Sequence, residues 1–105
     1  MDIDKIAEKL CELSLTAGYS EKIVEKMEDN DHYKVCYRFI ANMLSEWKEL
    51  GFDHFPAKDE AIEIARRTHP YFNWAFNKED GLGTFERLYD FHRDIWGAND
   101  EEEIF

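Results

Sequence analysis

The sequence holds few of the residues that crosslink or interrupt a chain. In 105 residues there are two cysteines, Cys11 and Cys36, and two prolines. Two cysteines are too few for a disulfide framework. Each lies at an apolar position of a helical pattern, so we expect both to be small, buried hydrophobic side chains.

Long hydrophobic runs and strand patterns are also missing. No apolar run approaches the roughly 20 residues that span a membrane. The first ten residues, MDIDKIAEKL, are charged and lack the apolar region of a secretory signal. No alternating run of β-branched residues predicts a strand. We therefore expect a cytoplasmic, all-α protein without a membrane segment.

Basic residues are scarce relative to acidic ones. The chain has 13 lysines and arginines against 24 acids, which gives a net charge of −11. This charge argues against direct binding of nucleic acid, which needs a basic surface, and against anionic membranes. It allows a basic protein partner, although acidity that serves only solubility is the alternative.

No pattern indicates catalysis, a cofactor or a metal. The histidines form no HxH or HxxxH pair, and no serine or threonine sits in a nucleophile elbow. The segment EDGLG at 79–83 does not fit a calcium loop, because Phe76 and Arg87 would occupy ligand positions. The sequence predicts that the protein is not an enzyme and binds neither metal nor cofactor.

Apolar residues recur at helical spacing along most of the chain. The pattern predicts helices over 3–17, after a Ser20 cap, over 32–50, over 57–68, and over 85–96, where Thr84 would cap and Gly97 would end the last one. The polar segment at 28–32 is predicted to be a break, and Pro56 can lie in the first turn of the helix that follows it. Pro70 either ends the helix over 57–68 or opens a short helix of its own. The helix over 32–50 is the longest and carries a wide apolar face, which is typical of a central helix. We predict a compact single-domain bundle of five or six helices over 1–97, followed by an acidic tail over 98–105.

Acidic residues repeat at every fourth position in three places. The three rows are Asp4, Glu8 and Glu12; Glu21, Glu25 and Asp29; and Glu86, Asp90 and Asp94. Like charges at this spacing cost a helix about 0.2–0.5 kcal/mol per pair. Either these are ordinary solvated faces relieved by nearby lysines and arginines, or they present phosphate-like charge to a basic cleft.

Four aromatic residues crowd into the six-residue run YFNWAF at 71–76. One helical face cannot bury all of them. Most are expected in the core, but Tyr71 or Trp74 is a candidate exposed anchor, because aromatic residues are enriched at interface hot spots.

In size, charge and helicity the chain is similar to the small acidic inhibitors of phages and mobile elements, such as anti-CRISPR and antirestriction proteins, and to immunity proteins of nuclease toxins. No motif carries this similarity, and it implies no site residues. The leading hypothesis is an inhibitor that mimics nucleic acid through the acidic rows and blocks a basic, nucleic-acid-acting protein. The row of Glu86, Asp90 and Asp94 is the first choice for the contact, and the row of Asp4, Glu8 and Glu12 is the second. The alternative is a helical adaptor that binds through exposed aromatic residues, with a homodimer left open.

Overall fold

The computed structural model describes the backbone over residues 3–12 and 19–103 and the side chains over 3–12 and 19–97. These residues form six helices and no strand, which confirms the all-α prediction. The helices are α1 (Ile3–Glu12), α2 (Glu21–Lys26), α3 (Asp29–Glu49), α4 (Lys58–Thr68), α5 (Pro70–Phe76) and α6 (Gly81–Glu103). No helix within these ranges is both long and apolar enough to cross a membrane.

Helix α3 carries the wide apolar face that predicted a central helix, and it is central in the structure. It packs against α1 on one side and α6 on the other. Phe39, Ile40, Met43 and Trp47 are completely buried along it. Burying side chains of this size is worth about 1.5–3 kcal/mol each. The large aromatic content of the sequence therefore serves mainly to fill the centre of this bundle.

The start of α3 differs from the prediction. The helix begins at Asp29, and the extended residue Glu28 precedes it without a side-chain cap. Asp31 therefore lies inside the first turn, where its negative charge is favourable because of the exposed N–H groups of the helix end. The polar segment at 28–32 was expected to be a break, but only its first residue is outside the helix.

The last helix is longer than predicted at both ends. It begins at Gly81 and continues to Glu103, so its 23 residues exceed the 21 of α3. Thr84 is inside the helix, and its hydroxyl donates to the carbonyl of Asp80 instead of capping. Gly97 is also internal, since an isolated glycine costs a helix only about 1 kcal/mol and does not by itself end it. The backbone of 98–103, predicted as a tail, continues this helix.

The two cysteines have different environments. Cys36 is buried as expected, and burial raises the pKa of its thiol to about 12. The prediction that Cys11 is buried is wrong, because it is exposed. The buried side of α1 is formed by Ile6, Ala7 and Leu10, and Cys11 lies about 100° further round the helix than Leu10. Residues 13–17, predicted to continue this helix, lie outside the described residues.

Two predicted helix starts are confirmed, and a third is shifted. The Ser20 hydroxyl accepts a hydrogen bond from the Ile23 N–H at the start of α2. Pro70 is the first residue of α5, after His69, whose Nδ1 accepts from the N–H of Tyr71 at 3.0 Å. Pro56, by contrast, precedes the Ala57 cap of α4 and lies outside the helix.

The short helix α2 is held by Lys78, a residue more than 50 positions away. The Lys78 ammonium donates to the carbonyl oxygens of Val24 at 2.8 Å and Met27 at 2.9 Å. Both carbonyls belong to the C-terminal end of α2, where backbone acceptors lack helical partners and a positive charge is favourable.

Replacing Lys78 with methionine is expected to destabilise the protein by about 1–3 kcal/mol, because two charge-assisted hydrogen bonds are lost while the aliphatic stem is retained. Urea denaturation followed by circular dichroism measures the change. Lys22→Met is the control, because Lys22 is an exposed lysine of α2 itself. Equal midpoints for the two variants would show that the Lys78 contacts contribute nothing to stability.

Candidate partner-binding surfaces

The acidic row of the second helix is the most accessible of the three. Glu21, Glu25 and Asp29 are all exposed. The row is divided between two helices, because α2 ends at Lys26 and Asp29 begins α3. None of these carboxylates forms an ion pair with a lysine or arginine among the described side chains. We call Glu21, Glu25 and Asp29 the α2 acidic surface.

The acidic row of α1 is exposed but partly neutralised. Asp4 pairs with the Arg67 guanidinium, which also donates to Glu63 at 2.8 Å. These two carboxylates raise the pKa of Arg67, first through the Glu63 hydrogen bond. Glu8 and Glu12 remain exposed. They line a shallow depression between α1 and α3, together with Glu46 and Glu49 of α3 and Lys5 and Lys9 of α1.

The acidic row of α6, the first choice from the sequence, is the least suited to a basic partner. Glu86 and Asp90 are only partly exposed, and Asp94 alone is fully so. Asp90 Oδ1 lies 3.2 Å from Lys58 Nζ and 3.5 Å from the Arg93 guanidinium. Its charge is therefore balanced within the chain by two cations.

The aromatic candidates of α5 face inward. Tyr71 has no exposed surface, so the prediction that it is an exposed anchor is wrong. Its ring contacts Tyr19 and Phe72, with ring centroids 5.1 and 5.0 Å apart. Trp74 is partly buried and packs against the core. The aromatic density of α5 arises because this seven-residue helix contacts α2, α4 and α6.

Four other apolar residues form an exposed face that the sequence did not reveal. Tyr33 and Tyr37 of α3 are 46% and 41% exposed, and Phe91 and Ile95 of α6 are 50% and 40% exposed. We call these four residues the α3–α6 apolar face. Helical spacing groups each of them with the apolar positions of its own helix, which are predicted to face inward. The apolar arcs of both helices are wider than the area that their mutual packing covers.

His92 lies beneath this face. Its ring is 5.1 Å from that of Tyr37 and 5.7 Å from that of Phe91. Its Nε2 atom is buried and has no hydrogen-bond partner among the described residues. Burial lowers the pKa of His92, which favours the neutral ring under an apolar surface.

A second histidine joins three helices in the core. His32 of α3 is within 2.8 Å of the Tyr71 hydroxyl through Nδ1 and of the Gly81 carbonyl through Nε2. Because a carbonyl can only accept, Nε2 carries the proton and Nδ1 accepts from Tyr71. Cys36 Sγ lies 3.5 Å from Nε2. These hydrogen bonds tie α3, α5 and α6 together.

Metal-binding geometry is absent from the described part of the chain. No group of three histidine, cysteine or acidic side chains within it could hold a metal ion. Comparison of the chain with protein-family models, with curated proteins and with solved structures finds no match. The surfaces themselves are therefore the basis for any functional assignment.

Proposed function

We propose that this protein is a non-enzymatic inhibitor that binds a basic, nucleic-acid-acting protein and blocks its nucleic-acid site. The observation that carries the proposal is the α2 acidic surface, whose three carboxylates are exposed and form no ion pair with a lysine or arginine among the described side chains. Anti-defence inhibition and immunity against a nuclease toxin are the two settings of this proposal, both in the cytoplasm.

Unpaired carboxylates are suited to such a partner for a physical reason. A carboxylate that is already paired must lose its cation before it can bind another one, whereas a free carboxylate loses only water. The charge of −11 also attracts a basic surface over distances up to the screening length of about 8 Å at physiological salt. Electrostatic attraction of this kind raises association rates and sets orientation more than it raises affinity.

We propose that the α2 acidic surface, and not the acidic row of α6, is the centre of contact with the partner. Glu8 and Glu12 of α1 are exposed as well, but they lie beside the C-terminal end of α3, at the opposite end of that helix from Asp29. Asp90 is less suited, because Lys58 and Arg93 already balance its charge. The acidic row of α6, ranked first from the sequence, is therefore ranked last in this proposal.

The test is capture of a partner from cells that express candidate nucleic-acid enzymes, followed by competition with DNA or RNA. Glu21→Lys, Glu25→Lys and Asp29→Lys combined should weaken the captured complex by more than about tenfold. The matched control is the combined reversal of Glu86, Asp90 and Asp94, which changes the net charge equally and should weaken the complex less. Binding should also fall with rising salt.

Three outcomes would contradict the proposal: equal losses for the two triple variants, a salt-independent complex, or nucleic acid that fails to compete. Equal losses would mean that net charge acts without a defined surface. A salt-independent complex would favour the second candidate function, a helical adaptor. That candidate is supported by the α3–α6 apolar face, since contiguous exposed apolar residues mark interaction sites.

A further inference from the structure

Two charged residues of opposite sign flank the α3–α6 apolar face. They become ion-pair partners when the faces of two copies of the chain pack together. Arg87 and Asp94 are both exposed on α6, on either side of Phe91 along the helix axis. Neither forms an ion pair among the described side chains, and Arg87 donates only to the Thr84 hydroxyl at 3.2 Å. One cation and one anion are therefore available beside an apolar centre.

The spacing of these charges has the symmetry of a two-fold interface. Residues 87 and 94 are seven positions apart, so they lie two turns apart on nearly the same side of α6. Phe91 lies near the midpoint between them. When two copies of α6 pack antiparallel about an axis close to Phe91, Arg87 of each copy meets Asp94 of the other, as an isologous interface requires.

We propose that the α3–α6 apolar face binds a second copy of this chain, with α6 antiparallel to α6 and reciprocal pairs between Arg87 and Asp94 of the partner subunit. Phe91 and Ile95 form the apolar centre, and Tyr33 and Tyr37 of α3 extend it, with Tyr33 lining the same depression as Arg87. This assignment goes beyond the proposed inhibitor function, because it uses a different surface and needs no other protein.

The charges elsewhere on α6 are consistent with a second copy of the chain as the molecule that covers this face. Lys58 and Arg93 balance Asp90, so that the part of α6 facing α4 is close to neutral. A strongly basic partner helix would bring cations next to Arg87, whereas a second copy brings Asp94. Glu21 and Glu25 lie on α2, outside this face, and stay available to a basic partner in the dimer, whereas Asp29 begins α3 and borders the face beside Tyr33.

Sedimentation velocity on the purified chain tests the proposal over a range of concentrations. The unsubstituted protein should dimerise, and should still do so at about 0.5 M salt because the centre of the interface is apolar. Phe91→Asp should weaken dimerisation by at least about a hundredfold, since the substitution acts twice in a two-fold interface. Glu21→Lys, which lies on the α2 acidic surface, should leave it unchanged.

A charge exchange tests the register of the two copies. Arg87→Asp alone and Asp94→Arg alone should each weaken dimerisation by about tenfold, and the double exchange should restore it, because the reciprocal pairs are rebuilt in reverse. A monomer at every concentration, or a dimer that tolerates Phe91→Asp, would overturn the proposal. A double exchange no better than the single variants would overturn the antiparallel register. Failure of the inhibitor proposal would appear only in the partner-capture experiment, so the two are separable.

Discussion

Replacing Gly81 with alanine is expected to destabilise the protein more than the same substitution at any other described glycine. A Cβ atom at this position would lie 1.8 Å from the Ala75 carbonyl oxygen and 2.8 Å from its carbon. Both are backbone atoms, so no side chain can rotate away. Either α5 or the start of α6 must move.

The free energy of unfolding should fall by about 3 kcal/mol or more, which is the cost of substitutions that strongly overpack a protein core. The movement would also disturb the His32 hydrogen bond to the Gly81 carbonyl. Urea denaturation at neutral pH measures the effect as a lower midpoint, or as failure to fold.

Two glycines of the same helix provide controls. Gly97→Ala meets no atom within 4 Å and should stabilise the protein by about 0.5–1 kcal/mol, because alanine is the better helix former. Gly83→Ala, two residues from Gly81, meets only the flexible end of Arg87 at 3.5 Å. If all three alanine variants were equally stable, the close approach of α5 to α6 would not contribute to the fold.

Replacing His32 with leucine is expected to cost about 1–3 kcal/mol, although the new side chain is apolar and of similar size. The substitution leaves the Tyr71 hydroxyl with only the Met27 sulfur, a weak acceptor at 3.3 Å, and removes the His32 donor from the Gly81 carbonyl. A buried donor that loses its partner costs roughly this amount. Tyr71→Phe removes the hydroxyl itself, so combining the two substitutions should cost less than the sum of the single effects.

His32 should also make stability depend on pH in a defined direction. Burial lowers the pKa of His32 from its ordinary value of 6.5, and the charge of Lys78 lowers it further, against opposing effects of the Gly81 carbonyl and Asp29. The unfolded chain therefore binds a proton more readily than the folded chain. The stability contribution is complete above pH 6.5 and is lost as the pH falls below it toward the folded value.

The pH profile separates this effect from simple loss of packing. Measured between about pH 5 and 8, the free energy of unfolding should rise less steeply with pH in His32→Leu than in the unsubstituted protein. His92 acts in the same direction, because burial lowers its pKa as well. His92→Gln is therefore the matched variant, and an unaltered slope in His32→Leu would refute the assigned role of His32.

The acidic rows show where sequence reasoning reached its limit. The spacing of four residues predicted correctly that most of the acids face outward on helices, because that property depends only on the periodicity of a helix. The same spacing could not separate Asp90, balanced by Lys58 of another helix, from Glu21 and Glu25, which no described cation balances. The spacing indicates Arg93, three residues from Asp90, as one partner, but the closer cation, Lys58, is 32 positions away in the chain.

The aromatic residues show a related limit. A single short helix with four aromatics was expected to leave one exposed, and Tyr71 was a candidate. The structure buries Tyr71 completely, because three neighbouring helices surround α5, and exposes Phe91 and Tyr37 instead. How many sides of a helix are covered depends on its neighbours, which its own sequence pattern does not specify.

The sequence by itself therefore determined the helical class, the central position of α3, the cap at Ser20, the helix start at Pro70 and the excess of negative charge. These properties follow from local spacing and from composition, which act within a few residues. Only the tertiary structure decided which acids are free, which aromatic residues are exposed, and that α6 begins at Gly81, where its backbone approaches Ala75 of α5. Those properties depend on contacts between distant segments, so they arise only when the helices pack.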